Sequence, residues 1–277
     1  MRSRQEPIKD DTPAFTRPSI FNFLRRRLAH PLARDVEIDD PSSVEVHRRM
    51  ILSKPFLRRI YEEWYDQIMS ALPPGKGAIL ELGSGTGFLR EYIRGVVTSD
   101  VRRHAGVDVV LDALALPVAA GSLRAIVMVD VLHHLAEPRR FFSEARRCVR
   151  SGGAIVMIEP WVTKWSKLIY TNLHHEPFRP QSAQWEFSTT GPMSGANGAL
   201  PWILFERDRD QFDREFPEWG VQRIEIQMPF RYLVSGGVSM RSLAPGWSFG
   251  LCRGFEQALK PWMRSLGMFA MIVLSRR

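Results

Sequence analysis

Cysteine is nearly absent: the chain of 277 residues has two, Cys148 and Cys252, far apart. A disulfide framework and a cysteine-based zinc cluster are therefore excluded, and the pair suits a reducing compartment. Long apolar runs are missing too. The longest, Met268–Leu274, falls far short of the roughly 20 residues a membrane-spanning helix needs. The first residues lack the apolar core of a secretory signal. A soluble, cytoplasmic protein is expected. No repeat is visible, and collagen-like and coiled-coil designs are ruled out. What remains is an ordinary globular composition, 44% hydrophobic and 25% charged, long enough to bury a full core.

Acidic residues are the minority: 38 Lys and Arg stand against 30 Asp and Glu, for a net charge of +8. The first 60 residues hold much of the excess. Such a surplus attracts nucleic acid, anionic lipid or an acidic substrate, or serves solubility alone. Residues 1–43 are expected as a flexible basic extension. Within it, Ile20–Leu28 runs from apolar to basic, which suits either contact with an anionic membrane surface or a helix packed on the main domain.

Residues 44–71 read as helix broken before Pro55, with Phe56, Ile60, Trp64, Ile68 and Leu72 as an apolar stripe. Pro73-Pro74-Gly75 ends it. Short apolar strands follow at Ala78–Leu82, Val96–Ser99 with Asp100 at its end, Val107–Leu111, Ala125–Val129 and Ala154–Ile158. A helix is expected at Leu89–Ile93 and another at 138–149. Gly152-Gly153 is read as the turn into the fifth strand. Later come a charged helix at Asp208–Phe216, strands at Val221–Gln227 and Phe269–Leu274, and a helix near Leu251–Met263. This alternation predicts a mostly parallel sheet with helices on both faces. The scheme places a helical cap segment at 44–74 and the main domain at 75–277, with cap insertions at about 161–204 and 229–263.

Glu81-Leu82-Gly83-Ser84-Gly85-Thr86-Gly87 follows the first strand and is read as opening a helix. Its glycines allow positive φ and close passage of a ligand. The spacing G-x-G-x-G is not the dinucleotide fingerprint, and there is no lysine of the phosphate-binding loop type. An acid at the turn suits a ligand bearing an ammonium group, which points to S-adenosylmethionine rather than NAD.

Four stretches together resemble the class I S-adenosylmethionine-dependent methyltransferases of the type-11 subgroup. They are the glycine turn, Asp112-Ala113-Leu114-Ala115-Leu116-Pro117, Val129-Asp130-Val131-Leu132-His133-His134-Leu135 and Arg147-Cys148-Val149-Arg150-Ser151-Gly152-Gly153. The last has Ser151 where the family usually has proline. The resemblance covers about residues 78–160. It implies a Rossmann-like seven-stranded sheet with the last strand antiparallel, and S-adenosyl-L-methionine as cofactor. Glu81, Gly83, Ser84, Gly85 and Gly87 would form the loop around it. Asp100 would hold the ribose hydroxyls, Asp112 and Ala113 would meet the adenine, and Asp130 would lie near the methionine end. Asp108 competes with Asp100 for the ribose, and Asp100 is preferred because it ends the second strand.

Methyl transfer needs alignment, dryness and sometimes a base. His133, Glu159, His174 and His175 are the candidates for that base, with His134 and Glu176 beside them. No metal is expected. Trp161, Trp165, Tyr170, Trp185 and Trp202 form either the core of a cap lobe or an aromatic wall, which Tyr61 and Tyr65 would join. The reading is methyl transfer to a small-molecule or lipid-linked acceptor, at oxygen. RNA or protein as acceptor, or cofactor binding without catalysis, are the alternatives.

Overall fold

A computed structural model describes residues 27–31, 43–85, 87–174, 176–189, 191 and 195–277. Seven strands form one sheet in the order β3-β2-β1-β4-β5-β7-β6. They are β1 (Ala78–Leu82), β2 (Val96–Asp100), β3 (Val109–Val110), β4 (Leu123–Val129), β5 (Val149–Pro160), β6 (Trp219–Gln227) and β7 (Phe269–Arg276). The pairs among β1 to β5 are parallel. β7 runs antiparallel to both β5 and β6. This is the Rossmann-like sheet that the resemblance implied.

The strands are apolar on both faces because both faces are covered. On β4, Ile126 and Met128 enter one core with Phe141, Phe142 and Ile155, while Ala125 and Val127 enter the other with Trp64, Val156 and Ile158. The period-two alternation thus serves two cores. Helix α3 (Pro138–Cys148) covers the first face. Helix α1 (Ser43–Ser53) leads into α2 (Pro55–Ala71), which covers the second. Pro55 starts α2, a position where its missing N–H costs nothing. Phe56, Ile60, Trp64 and Ile68 are buried as the stripe predicts, joined by Leu57, Tyr61 and Tyr65. Each such side chain contributes about 1.5–3 kcal/mol.

Three expectations need correction. No α-helix follows the glycine turn; a single 3-10 turn, Leu89–Glu91, stands there. The loop leaves too few residues before β2 for a stable helix. The third strand is only Val109–Val110, held at the sheet edge. Gly152-Gly153 lies inside β5 rather than before it, where the register against β4 shifts. A Cβ on Gly153 would come within 2.8 Å of the Arg124 carbonyl oxygen, so glycine lets the two strands close up.

Beyond β5 the chain forms α4 (Lys164–Leu173), a long connection, α5 (Arg209–Glu215), α6 (Arg231–Ser235) and α7 (Phe249–Ala258). Trp161 and Trp185 are wholly buried, and Trp202 packs against the same core. The tryptophans are therefore core of the domain. Most of the extension 1–43, including Ile20–Arg26, lies outside the described residues.

Candidate active site

The carboxyl ends of β1, β2 and β4 open into a cavity of about 920 Å³, at the upper end of the range for ligand sites. Val44, Tyr61 and Tyr65 line it from α1 and α2; Tyr170, Glu176 and Phe178 from the segment after β5; Tyr232, Gly237 and Met240 from the segment after β6. Open α/β sheets bind ligands at this edge. Its aromatic lining is tyrosine and phenylalanine, not tryptophan.

The glycine loop forms one end. Ser84 turns inward: its hydroxyl donates to Glu81 (2.7 Å) and accepts from the Ser99 N–H (3.1 Å), and its own N–H donates to the Ser99 carbonyl (2.8 Å). It ties the loop between β1 and β2. Gly83 has φ +61°, and a Cβ there would stand 2.6 Å from Val131. At Gly87 a Cβ would meet the Tyr65 hydroxyl at 2.9 Å. Gly85 differs. It has φ +43° and no protein atom closer than 3.6 Å to a Cβ, so its open side belongs to the cavity. The Tyr65 hydroxyl accepts from the Phe88 N–H (3.1 Å), and Arg48 donates to the Gly87 carbonyl (3.1 Å). Helices α1 and α2 thus brace the loop where the expected helix is missing.

Asp100 lines the cavity and accepts from the Gly85 N–H (3.1 Å) and the Arg102 N–H (2.9 Å). Asp108 is outside the lining. It accepts from the Thr98 N–H (3.0 Å) and hydroxyl (2.9 Å) and pairs with Arg90 at 2.6 Å. Asp112 and Ala113 line the cavity, and Asp112 accepts from the Leu114 N–H (2.8 Å). Arg147 donates to the carbonyls of Leu116 and Val118, both at 2.7 Å, so one motif holds another in place. Glu81 is buried, and burial pushes its carboxyl up to about 7 against the opposing Ser84 hydrogen bond and Arg90.

Beyond lies a cluster of histidines and carboxylates. Asp130 adopts φ +58°, a strained region that asparagine and aspartate tolerate best. Burial pushes its carboxyl up to about 7; His133 opposes this, and Glu159 and Glu176 add to it. Glu159 is fully buried and accepts from the N–H groups of Val131 (2.9 Å) and Leu132 (2.7 Å) and from His133 Nδ1 (2.8 Å). It is behind the cavity, not in its lining, and orients His133. His133 Nε2 lies 3.3 Å from Glu176, His134 Nε2 3.6 Å and His174 Nδ1 3.7 Å. Burial lowers the His133 pKa, but the two carboxylates outweigh it and hold the ring well above its ordinary range. Burial and the neighbouring His133 push His134 down to about 4. Burial would raise the Glu176 pKa, yet the histidines hold it far below the usual range. His175 lies outside the described residues.

The structure therefore gathers His133, His134, His174 and Glu176 at one end, and Glu81, Gly85, Asp100, Asp112 and Ala113 at the other, with Asp130 between. Glu176 is the residue that sequence reasoning weighted least; its only signal was adjacency to the histidine pair. Tyr170 was counted with the tryptophans and Tyr232 was missed.

Residues 80–157 match the family model described as a methyltransferase domain. With the four motifs it carries, that segment is an S-adenosylmethionine-dependent methyltransferase domain. No curated protein matches the chain. Among solved structures, it is similar to geranyl diphosphate C-methyltransferase from Streptomyces coelicolor A3(2), with 14% identity, 90% of this chain and 89% of that one covered, and a TM-score of 0.46. It is also similar to a SAM-dependent methyltransferase from Archaeoglobus fulgidus, with 13% identity, 79% and 94% covered, and a TM-score of 0.48.

Proposed function

We propose that the methyltransferase domain at residues 80–157 serves an enzyme that methylates a small, largely apolar acceptor, free or lipid-linked, at an oxygen atom. One observation carries this reading: a single cavity joins the glycine loop and Asp100 to a tyrosine-lined chamber ending in the histidine–glutamate cluster. Among the described residues, Arg102 is the only arginine in its lining, which speaks against an RNA-binding groove.

The residues fit the cofactor. The open side of Gly85 leaves room for its backbone-hugging path, Asp100 offers a carboxylate to the ribose hydroxyls, and Asp112 with Ala113 borders the place for the adenine. Asp130 and Glu81 supply negative charge near the methionine end. Bound S-adenosylmethionine supplies a methyl carbon already activated by the sulfonium. The protein then orients the acceptor and excludes water. Tyr61, Tyr170 and Tyr232 form the dry wall, their phenols kept protonated by burial. The cluster of His133, His134, His174 and Glu176 receives the acceptor's hydroxyl. Among the described candidate bases, His174 is the least buried.

Calorimetry with S-adenosylmethionine, S-adenosylhomocysteine and NAD tests the reading. Both adenosyl ligands should bind and NAD should not. A hydrogen bond to a carboxylate contributes about 1.5–3 kcal/mol, and water takes over part of the bonding of the two ribose hydroxyls when the carboxylate is removed. Asp100→Ala should accordingly weaken binding by roughly 10- to 1,000-fold, and Asp108→Ala far less. Equal losses, or tight NAD binding, would reject it.

A further inference from the structure

We infer that His133, His134 and Glu176 form a binding site for a divalent cation of the zinc type, open to the acceptor chamber. Nε2 of His133 and Nε2 of His134 converge on the two oxygens of Glu176, at 3.3 and 3.6 Å. All three ligand atoms lie within 4.8 Å of one another. Ligand atoms about 2.05 Å from a tetrahedral zinc ion stand ~3.3 Å apart, and the two nitrogen–oxygen pairs, at 3.3 and 3.6 Å, stand close to that spacing.

Hydrogen bonding on the far side of each ring supports the assignment. His133 Nδ1 faces Glu159 at 2.8 Å, and His134 Nδ1 faces the carbonyl of Gly195 at 3.2 Å. A carbonyl only accepts, so His134 donates from Nδ1, and its Nε2 then presents a lone pair toward a carboxylate oxygen. Two acceptors face each other there. One proton on His133 Nε2 satisfies that ring but not its neighbour. Protonating both would set two cations side by side, with ring centroids 4.2 Å apart. A divalent cation between them takes a lone pair from each nitrogen and from the carboxylate at once. Metal-binding histidines characteristically pass their other N–H to a carboxylate or a backbone carbonyl, and these two rings show one of each.

All three residues line the cavity, so the fourth position of the ion faces the acceptor. For its chemistry, though not for the binding itself, this rests on the oxygen-acceptor reading above. The acceptor hydroxyl oxygen becomes the fourth ligand, and its acidity rises. Its O–H bond breaks, the proton passes to His174 at the more exposed edge of the cluster and from there to solvent, and the electron pair stays on oxygen, ready for the methyl carbon.

The test is titration of Zn²⁺ into chelator-stripped full-length protein by calorimetry. One ion per chain is expected. His134→Ala and Glu176→Gln should each weaken binding at least 10-fold, while His104→Ala leaves it unchanged. Glu159→Gln, which keeps an oxygen for the Val131 and Leu132 N–H groups but removes the charge facing His133 Nδ1, should weaken it 10- to 100-fold. If one of the ligand variants folds poorly by circular dichroism, the other decides. Absence of stoichiometric Zn²⁺ binding, or unchanged binding in the folded ligand variants, overturns the proposal. S-adenosylmethionine titrated into the same stripped protein keeps the two readings apart. Cofactor binding without Zn²⁺ binding rejects the metal alone, and the converse rejects the methyltransferase reading alone.

Discussion

Glu81, next to last in β1, has a carboxyl pushed up to about 7 by burial, in the site proposed for a cationic cofactor. The groups around it are the Ser84 hydroxyl, Tyr65 from α2, Arg90 after the loop and Asp100 from β2. In the unfolded chain the carboxyl returns to its ordinary value of 4.5. Its folded pKa is thus the higher one. Its contribution to stability is complete below about 4.5 and is lost as pH rises through about 7. An ammonium or sulfonium nearby favours the ionised form, so cofactor binding should release a proton near pH 6 and affinity should climb toward pH 7. Calorimetry in buffers of different ionisation enthalpy counts that proton. Glu81→Gln should reduce the count and flatten the climb. The same count in the variant would show that this carboxyl stays protonated when the cofactor binds. Gly85 and its neighbours divide the motif in a way the letters G-x-G-x-G do not reveal. All three glycines line the cavity, but Gly83 and Gly87 are required by Val131 and Tyr65, whereas a Cβ on Gly85 would meet no such neighbour.

Helix α2 is anchored by charge as well as by its apolar stripe. Arg231 on α6 pairs with Glu63 of α2 (2.8 Å) and with Glu256 of α7, and Glu256 also accepts from the N–H groups of Phe230 and Arg231. Both Arg231 and Glu256 are buried. Arg231→Ala would leave the buried Glu256 without its countercharge and Glu63 with Arg253 at 3.5 Å, which costs about 3–5 kcal/mol. Urea unfolding should show that loss, and a change under about 1 kcal/mol would mean that water enters and screens the pair. None of this was legible in the sequence, because Glu63, Arg231 and Glu256 are far apart along it and obey no local spacing. The strands were legible because each is a short apolar run bounded by turn residues. The α2 stripe was legible because burial follows the helical period. The helix after the glycine turn was read from the usual order of elements, but chain length overruled it. The tryptophans carried no signal of side: in the segment after β5, composition says that a ring is buried, not whether it faces core or cavity.

At the scale of the molecule, the described residues contain no helix long and apolar enough to cross a membrane. Yet Trp247, Leu251, Phe255 and Trp262, all from one stretch of chain, are each more than half accessible. Leu251 and Phe255 are one turn apart on α7. Arg241, Lys260 and Arg264 lie exposed in the same segment, whose one acid, Glu256, is buried against Arg231. Aromatic and aliphatic side chains beside bases that form no ion pair among the described residues have the composition that suits the interfacial region of an anionic bilayer, which predicts binding to anionic vesicles. Sedimentation with phosphatidylglycerol-containing vesicles should carry the full-length protein down, less so in high salt, and neutral phosphatidylcholine vesicles should carry less. Trp247→Ser combined with Trp262→Ser should release it while cofactor affinity stays the same, because neither residue lines the cavity. The double variant leaves the basic stretch before residue 27 intact, so it isolates the contribution of this segment. Undiminished sedimentation of that variant would move the membrane contact to the extension. Equal binding to neutral vesicles would remove the role of charge.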